Sequence, residues 1–265
     1  MTRNYALVLL ALLVLSSCSD EPTNTASDVD ENGITTKGLI VRYKFDGDAK
    51  ESYGTGLNGI VRSGVTFTTG RTTGAGSAAR FNGEFGHIAI TGNNISLLEP
   101  KEALTISFWI KGYAAAGADQ WTHIISKAKG FDNGYVVKWS HDGSPSLIGF
   151  LIEGAFGTST PNDNLSTPNE PLIGTWNHVC FTWSKTTKAY SLFVNGVQVG
   201  SKLNSIYNGS HSSDTLYVGG QTYLDASGGV VQATIPAELD DLRIYSRALS
   251  QEEITALSRE NLQTN

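Results

Sequence analysis

Glu238-Leu239-Asp240-Asp241 places three carboxylates within four residues, and strand alternation would put Glu238 and Asp240 on one face. Two carboxyl groups about 5–5.5 Å apart could cut a glycosidic bond with retention, one attacking while the other donates a proton. The run continues Leu242-Arg243 without a second Glu, so a Glu-x-Asp-x-Glu pattern is begun and not completed. Glu252 and Glu253 belong to a helix start, and Glu99 and Glu102 flank Pro100; a dyad from separate strands, such as Glu153 with Asp142, stays open. The sequence has no Gly-x-Ser-x-Gly turn, no phosphate loop and no His-x-x-x-His pair. Its histidines, at 87, 123, 141, 178 and 211, are scattered. Cys180, in His178-Val179-Cys180-Phe181, reads as a small buried hydrophobe, and His178 as a structural histidine bonded to a neighbouring strand.

Oxygen donors stand near both ends of the alternating region: Asp46 and Asp48 after its first strand, Asp240 and Asp241 in its last. If those strands are neighbours, the four could clasp a calcium ion, which takes about 6–8 oxygens. The same residues could instead close Asx turns, and both readings are open. For a sugar, the useful groups are rings that stack on C–H faces and polar groups that fork hydroxyls. Trp121, Trp139 with the following His141 and Asp142, and Tyr223 fall at expected loop edges and form the candidate ligand site. Trp176 and Trp183 sit in apolar strands and read as core. Residues 154–174 form a long polar loop.

These groups must be positioned by strands. Glycine at 29 residues, one Met and many Ser, Thr and Asn argue against a helical protein. Alternation of period two marks residues 39–45, 87–91, 104–111, 123–127, 135–140, 147–153, 176–184, 190–198, 215–219 and 239–246 as strands. Turn signals separate them, the clearest being Asn195-Gly196 between Phe193-Val194 and Val197-Gln198, a two-residue hairpin. The one expected helix follows Ser250-Gln251-Glu252-Glu253, a capping box with Ile254 and Leu257 on one face. Net charge is −6 with no basic run, so nucleic acid is not expected as a partner.

Several motifs in order resemble the laminin-G-like domain: Ala79-Arg80-Phe81-Asn82-Gly83, Ile106-Ser107-Phe108-Trp109, Thr175-Trp176-Asn177-His178-Val179, Leu192-Phe193-Val194-Asn195-Gly196, Val218-Gly219-Gly220 and the run from Leu239 to Ser250. The resemblance implies an all-β, two-sheet antiparallel jelly-roll sandwich of the concanavalin A-like kind over residues 38–259, with one short C-terminal helix. It also implies ligands met on a concave face or its rim, and often structural calcium. It leaves the ligand open, because this fold hosts lectins, adhesion modules and hydrolases.

The chain begins with a positive residue, Arg3, and an apolar run over 5–15 that is shorter than the roughly 20 residues a spanning helix needs, as in a secretory signal peptide. Leu15-Ser16-Ser17-Cys18 resembles a bacterial lipobox, so acylation of Cys18 and anchoring in the outer membrane are expected, and Ser19-Asp20-Glu21 resembles a surface-export signal. Residues 18–37 read as an acidic flexible tether. The expected function is a lipid-anchored, envelope-facing module that binds polysaccharide without cutting it. An adhesion module with an envelope protein as partner and a glycoside hydrolase with a dispersed dyad are the alternatives.

Overall fold

Where apolar residues alternate, strands form. The computed structural model describes residues 28–72, 75–99, 101–113, 121–128, 134–140, 147–153, 165–166, 173–203, 215–224 and 230–260. In chain order the strands are β1 (Leu39–Tyr43), β2 (Gly59–Val61), β3 (Val65–Thr72), β4 (Ala75–Asn82), β5 (Ile88–Ile90), β6 (Ala103–Gly112), β7 (Trp121–Ser126), β8 (Gly134–Ser140), β9 (Leu147–Glu153), β10 (Leu165–Ser166), β11 (Asn177–Ser184), β12 (Ala189–Val194), β13 (Val197–Lys202), β14 (Leu216–Val218), β15 (Gly220–Leu224), β16 (Val230–Thr234) and β17 (Pro236–Tyr245). Helix α1 (Gln251–Arg259) follows.

The strands make an antiparallel jelly-roll sandwich. One sheet runs β13-β12-β11-β6-β17-β4-β3, with β1 also paired to β17; the other runs β10-β9-β8-β7-β14-β5-β2. The β15–β16 hairpin packs against β7, where Gln221 Nε2 donates to the Ala128 carbonyl at 2.7 Å and Ser126 Oγ donates to Gln221 Oε1 at 3.0 Å. Leu104, Ile106, Phe108 and Ile110 of β6 share one core with Tyr135, Val137 and Trp139 of β8. Contact across the sheets is close: a Cβ on Gly112 would fall 1.9 Å from Trp139 Cη2, so β6 can end only in a residue without a side chain.

The turn and cap signals act as their chemistry requires. Asn195 (φ 50°) and Gly196 (φ 77°) both adopt the left-handed conformation that joins β12 to β13. At α1 the Ser250 hydroxyl accepts from the Glu253 backbone, and the Glu253 carboxylate accepts from the Ser250 N–H at 2.8 Å. Ile254 and Leu257 then bury against Cys180, Phe193, Tyr245 and Leu249 in a second apolar cluster, on the face of the larger sheet turned away from the main core. Cys180 is fully buried there as a free thiol, and burial raises its pKa.

This second cluster corrects the expected start of the domain. The composition of residues 18–37 reads as tether, yet Ile34 is buried in the same cluster, Tyr245 donates to the Thr35 carbonyl at 3.2 Å, and Arg247 donates to the Lys37 carbonyl at 2.6 Å. Arg247 also forks onto both oxygens of Glu253, tying this segment to the helix cap. Truncating Ile34 to Ala should lower the unfolding free energy by about 2–5 kcal/mol in urea titrations, as for a core residue. A change within about 0.5 kcal/mol would show that the segment behaves as surface.

Candidate functional site

Alternation gives β6 two faces. Leu104, Ile106, Phe108 and Ile110 point to the main core, and Thr105, Ser107, Trp109 and Lys111 point away from it. The pairing register places Thr182, Cys180 and His178 of β11 beside this second row, and Tyr245, Arg243, Asp240 and Glu238 of β17 on its other side. Exposure changes along the row: Thr105 is 0% exposed, Ser107 1% and Trp109 6%, while Lys111 and Tyr113 are half-buried.

The covered end is held by charges. β17 carries a bulge between Asp240 and Arg243, with Asp241 in a left-handed conformation (φ 48°), and there its outer pairing passes from β4 to β1. Asp241 accepts from Arg42 Nε at 2.8 Å and from Arg243 Nε at 3.3 Å, and Arg71 Nη2 lies 3.6 Å away. Arg243 forks onto Glu260 at 2.7 and 2.8 Å, and both Arg42 and Arg243 reach Asp30. Burial would raise the Asp241 carboxyl, but Arg243 and Arg42 beside it hold it well below the usual range. Its neighbour Glu260 is pushed up to about 7 by burial and by the charge of Asp241. Asp240, facing Arg71 Nε at 3.4 Å, is pushed up to about 6 by burial, with Arg71 opposing the rise. The Arg71 guanidinium lies over the Trp109 ring at 4.6 Å. Beneath them His178 Nε2 meets Ser107 Oγ at 2.8 Å, and burial lowers this imidazole to about 3, a structural histidine as its strand position implied.

The open end gathers rings and charges. Lys111 Nζ pairs with Glu238 Oε2 at 2.6 Å and lies over two rings, Trp176 at 5.4 Å and Tyr113 at 5.8 Å. Arg80, directly opposite Glu238 in the β4–β17 pairing, places its guanidinium over Tyr113 at 5.0 Å. The phenol of Tyr113 is raised by burial and by its hydrogen bond to Glu238. Glu238 is only 2% exposed, whereas Trp176 is half-buried and Arg80 exposed. Tyr113 is fixed by donating its N–H to the Pro236 carbonyl at 2.8 Å, and the stretch before Trp176 by Gly174 donating to Gly112 at 3.0 Å. Two rings of partial exposure around a seated cation and a carboxylate form a platform on which a polar, C–H-bearing ligand can lie.

This is not the site expected from the sequence. Trp139 is 1% exposed in the main core and is corrected from ligand residue to core residue: it shares the inward parity of Tyr135 and Val137, and the end of a strand is not the edge of the sandwich. Trp121 opens β7 opposite Ser140, and Tyr223 lies in β15 opposite Val231; the side chains of both lie outside the described residues, as do His141 and Asp142. Trp183 is core at 1% exposure, but Trp176, also read as core, is half-buried in the platform.

The expected calcium carboxylates do not fit a metal ion. First and last strands are indeed neighbours, since β1 pairs with β17. Asp48, however, closes its own turn by accepting from the Lys50 backbone at 3.0 Å, which with the Lys50 side chain lowers its pKa. Asp46 accepts from the Ser77 backbone at 2.9 Å, and Asp241 is ringed by guanidinium groups that repel a dication. Among the described residues no three His, Cys, Asp or Glu side chains are grouped as a metal ion would need. Cys18 lies outside the described residues.

A family model described as the concanavalin A-like lectin/glucanases superfamily, of laminin-G type, matches residues 82–255. The chain belongs to this superfamily. It is 27% identical over 168 residues to C-reactive protein 3.3 of Limulus polyphemus, covering 62% of this chain and 65% of that protein, so it spans just under two thirds of that relative's length. C-reactive protein 1.4 of the same animal is 32% identical over 113 residues, 40% of this chain and 46% of that one. Among solved structures the fold is similar to the binding domain of Paraclostridial Mosquitocidal Protein 1, with TM-score 0.62, 18% identity, 86% of this chain and 53% of that one. It is also similar to domain 4 of AbnA, an extracellular arabinanase of Geobacillus stearothermophilus solved with arabinotriose, with TM-score 0.58, 19% identity, 83% of this chain and 98% of that one.

The charged end of this superfamily member has a pH signature. With Asp240 raised from 3.8 to about 6, this one carboxyl keeps its proton in the folded chain across a window in which the unfolded chain has lost it. Stability contributed by this carboxyl therefore falls as pH rises through the window. Thermal midpoints measured across it should decline less steeply in Asp240→Asn than in the wild type, and equal slopes would show that Asp240 titrates as an exposed acid.

Proposed function

We propose that this chain is a carbohydrate-binding module that captures polysaccharide without cutting it, held at the bacterial outer membrane by acylation of Cys18. The observation that carries the binding reading is the pair of partly exposed rings, Tyr113 and Trp176, set around the Lys111–Glu238 ion pair. Rings meet the apolar C–H faces of a pyranose or furanose, and the ammonium and guanidinium edges offer donors to its oxygens. Membership of a lectin and glucanase superfamily supports this, as do fold neighbours whose ligands are sugars: arabinotriose for domain 4 of AbnA, and SialylT for a botulinum neurotoxin DC binding domain. The anchoring half rests on the Arg3, apolar-run and Cys18 pattern.

Glycoside hydrolysis is the second reading. Its support is that Glu238 and Asp240 share one face of β17; both are buried, at 2% and 9% exposure, and each is met by a cation, Lys111 and Arg71. Release of reducing ends from a bound polysaccharide, abolished by Glu238→Gln or Asp240→Asn, would replace the binding module with an enzyme.

Affinity gel electrophoresis against a panel of plant and bacterial polysaccharides, arabinan included, tests the site. Trp176→Ala and Tyr113→Ala should each weaken retention by about tenfold or more, as central aromatic anchors do. Loss of retention in Trp121→Ala and Tyr223→Ala, with Trp176→Ala unchanged, would move the site to β7 and the β15–β16 hairpin. Export is checked separately by metabolic labelling with a palmitate analogue, which Cys18→Ser should abolish.

A further inference from the structure

The charges around the two rings are not balanced. Among the described residues Glu238 is the one carboxylate that meets these rings and cations; it is 2% exposed and engaged by its ion pair with Lys111 and its hydrogen bond from Tyr113. Arg80 is exposed, lies over the Tyr113 ring at 5.0 Å, and has no carboxylate within ion-pair distance among the described residues. Among the described residues Glu238 neutralises one of the two cations and Arg80 is left over, on a chain whose overall charge is −6. The net negative charge gives the chain no general attraction for polyanions, so any such attraction has to be local. A guanidinium held flat by an aromatic ring keeps its N–H edge free, and that edge matches a carboxylate or sulfate with two parallel hydrogen bonds.

We infer that the platform takes an anionic glycan, one bearing uronate or sulfate groups, with Trp176 and Tyr113 stacking on sugar rings and Arg80 pairing with the acid group. This rests on the carbohydrate-binding reading and adds the ligand's charge class to it. Neutral sugars would use the rings but leave the Arg80 edge to water. Sugar repeats along a chain would bring further acid groups past Lys111, whose ammonium is already seated between the rings.

Matched polymers separate the two claims. Retention of the full chain is measured on polygalacturonate and chondroitin sulfate, and on the carboxyl-reduced and desulfated forms of the same polymers. At least one acidic polymer should bind about tenfold or more tighter than its neutral form, with binding weakening as NaCl rises from about 50 to about 300 mM. Arg80→Gln, folded by circular dichroism, should lose about fivefold or more on the acidic polymer and nothing on the neutral one, while Arg80→Lys recovers part of the loss; the uronate and sulfate arms identify which acid group is read. Equal retention of acidic and neutral forms by wild type and Arg80→Gln alike overturns the anionic inference, with the ring platform left standing if Trp176→Ala still weakens both. Retention of no acidic polymer at all also overturns it. Retention unaffected by Trp176→Ala defeats the platform itself, whichever polymers bind.

Discussion

Strand β17 has to pair with β4 along its first half and β1 along its second, and the chain makes the change with a bulge at Asp241. A bulge inserts an extra residue and re-aims side chains, here turning two adjacent carboxylates onto a face that the rest of the fold covers. Carboxylates removed from water are unfavourable unless met by cations and hydrogen bonds, so Arg42 of β1, Arg71 of β3 and Arg243 of β17 must converge on one point. Three strands that are far apart in sequence are thereby fixed relative to one another. Asp30 and Glu260 complete the shell from opposite ends of the described chain, which docks the N-terminal segment and the turn after α1 onto the sheet. Net stabilisation by such buried pairs is small, since desolvation offsets attraction. Their effect is on specificity: any other register leaves a buried charge alone.

That cover has an edge, and the platform lies just beyond it. Along β6 and the residue after it the same polar face passes from Thr105, bonded to Arg247 and Leu249, through Trp109 under Arg71, to Lys111 and Tyr113 in partial contact with water. A row that is closed by charges at one end and open at the other presents its aromatic residues only where the closure stops. The platform residues therefore stand on strands and strand ends braced by backbone hydrogen bonds, rather than on long loops.

The sandwich, the Asn195-Gly196 hairpin and the Ser250 capping box were legible because each depends on residues within a few positions of one another. Strands β3 and β4 were harder: Val65–Thr72 and Ala75–Asn82 are rich in Thr, Ala and Gly and lack a strong apolar alternation. The domain start was misread because Asp30 and Glu31 have the composition of a solvated tether, and the arginines that order Asp30 lie 12 and more than 200 positions away. Trp139 and Trp176 were exchanged in role, and parity would have separated them. Trp176 alternates with His178 and Cys180, opposite Val179 and Phe181, and the apolar pair marks the main core. Nearness to a loop was the weaker guide, because a strand delivers its last residue inward as readily as outward.

Glu238 illustrates how a residue type can suggest one chemistry and its surroundings another. A carboxylate beside a sugar platform invites a catalytic reading, yet this one is pressed under the rings with an ammonium 2.6 Å from its oxygen and a phenol donating to it. A nucleophile needs an open path to an anomeric carbon, and a general acid needs a proton facing the leaving oxygen; Glu238 is 2% exposed and held by both partners. What the ion pair does is hold Lys111 still between Tyr113 and Trp176. A free lysine side chain would sample many rotamers and lie over neither ring for long. Fixed by Glu238, it lies over both rings, so the carboxylate shapes the platform through the lysine.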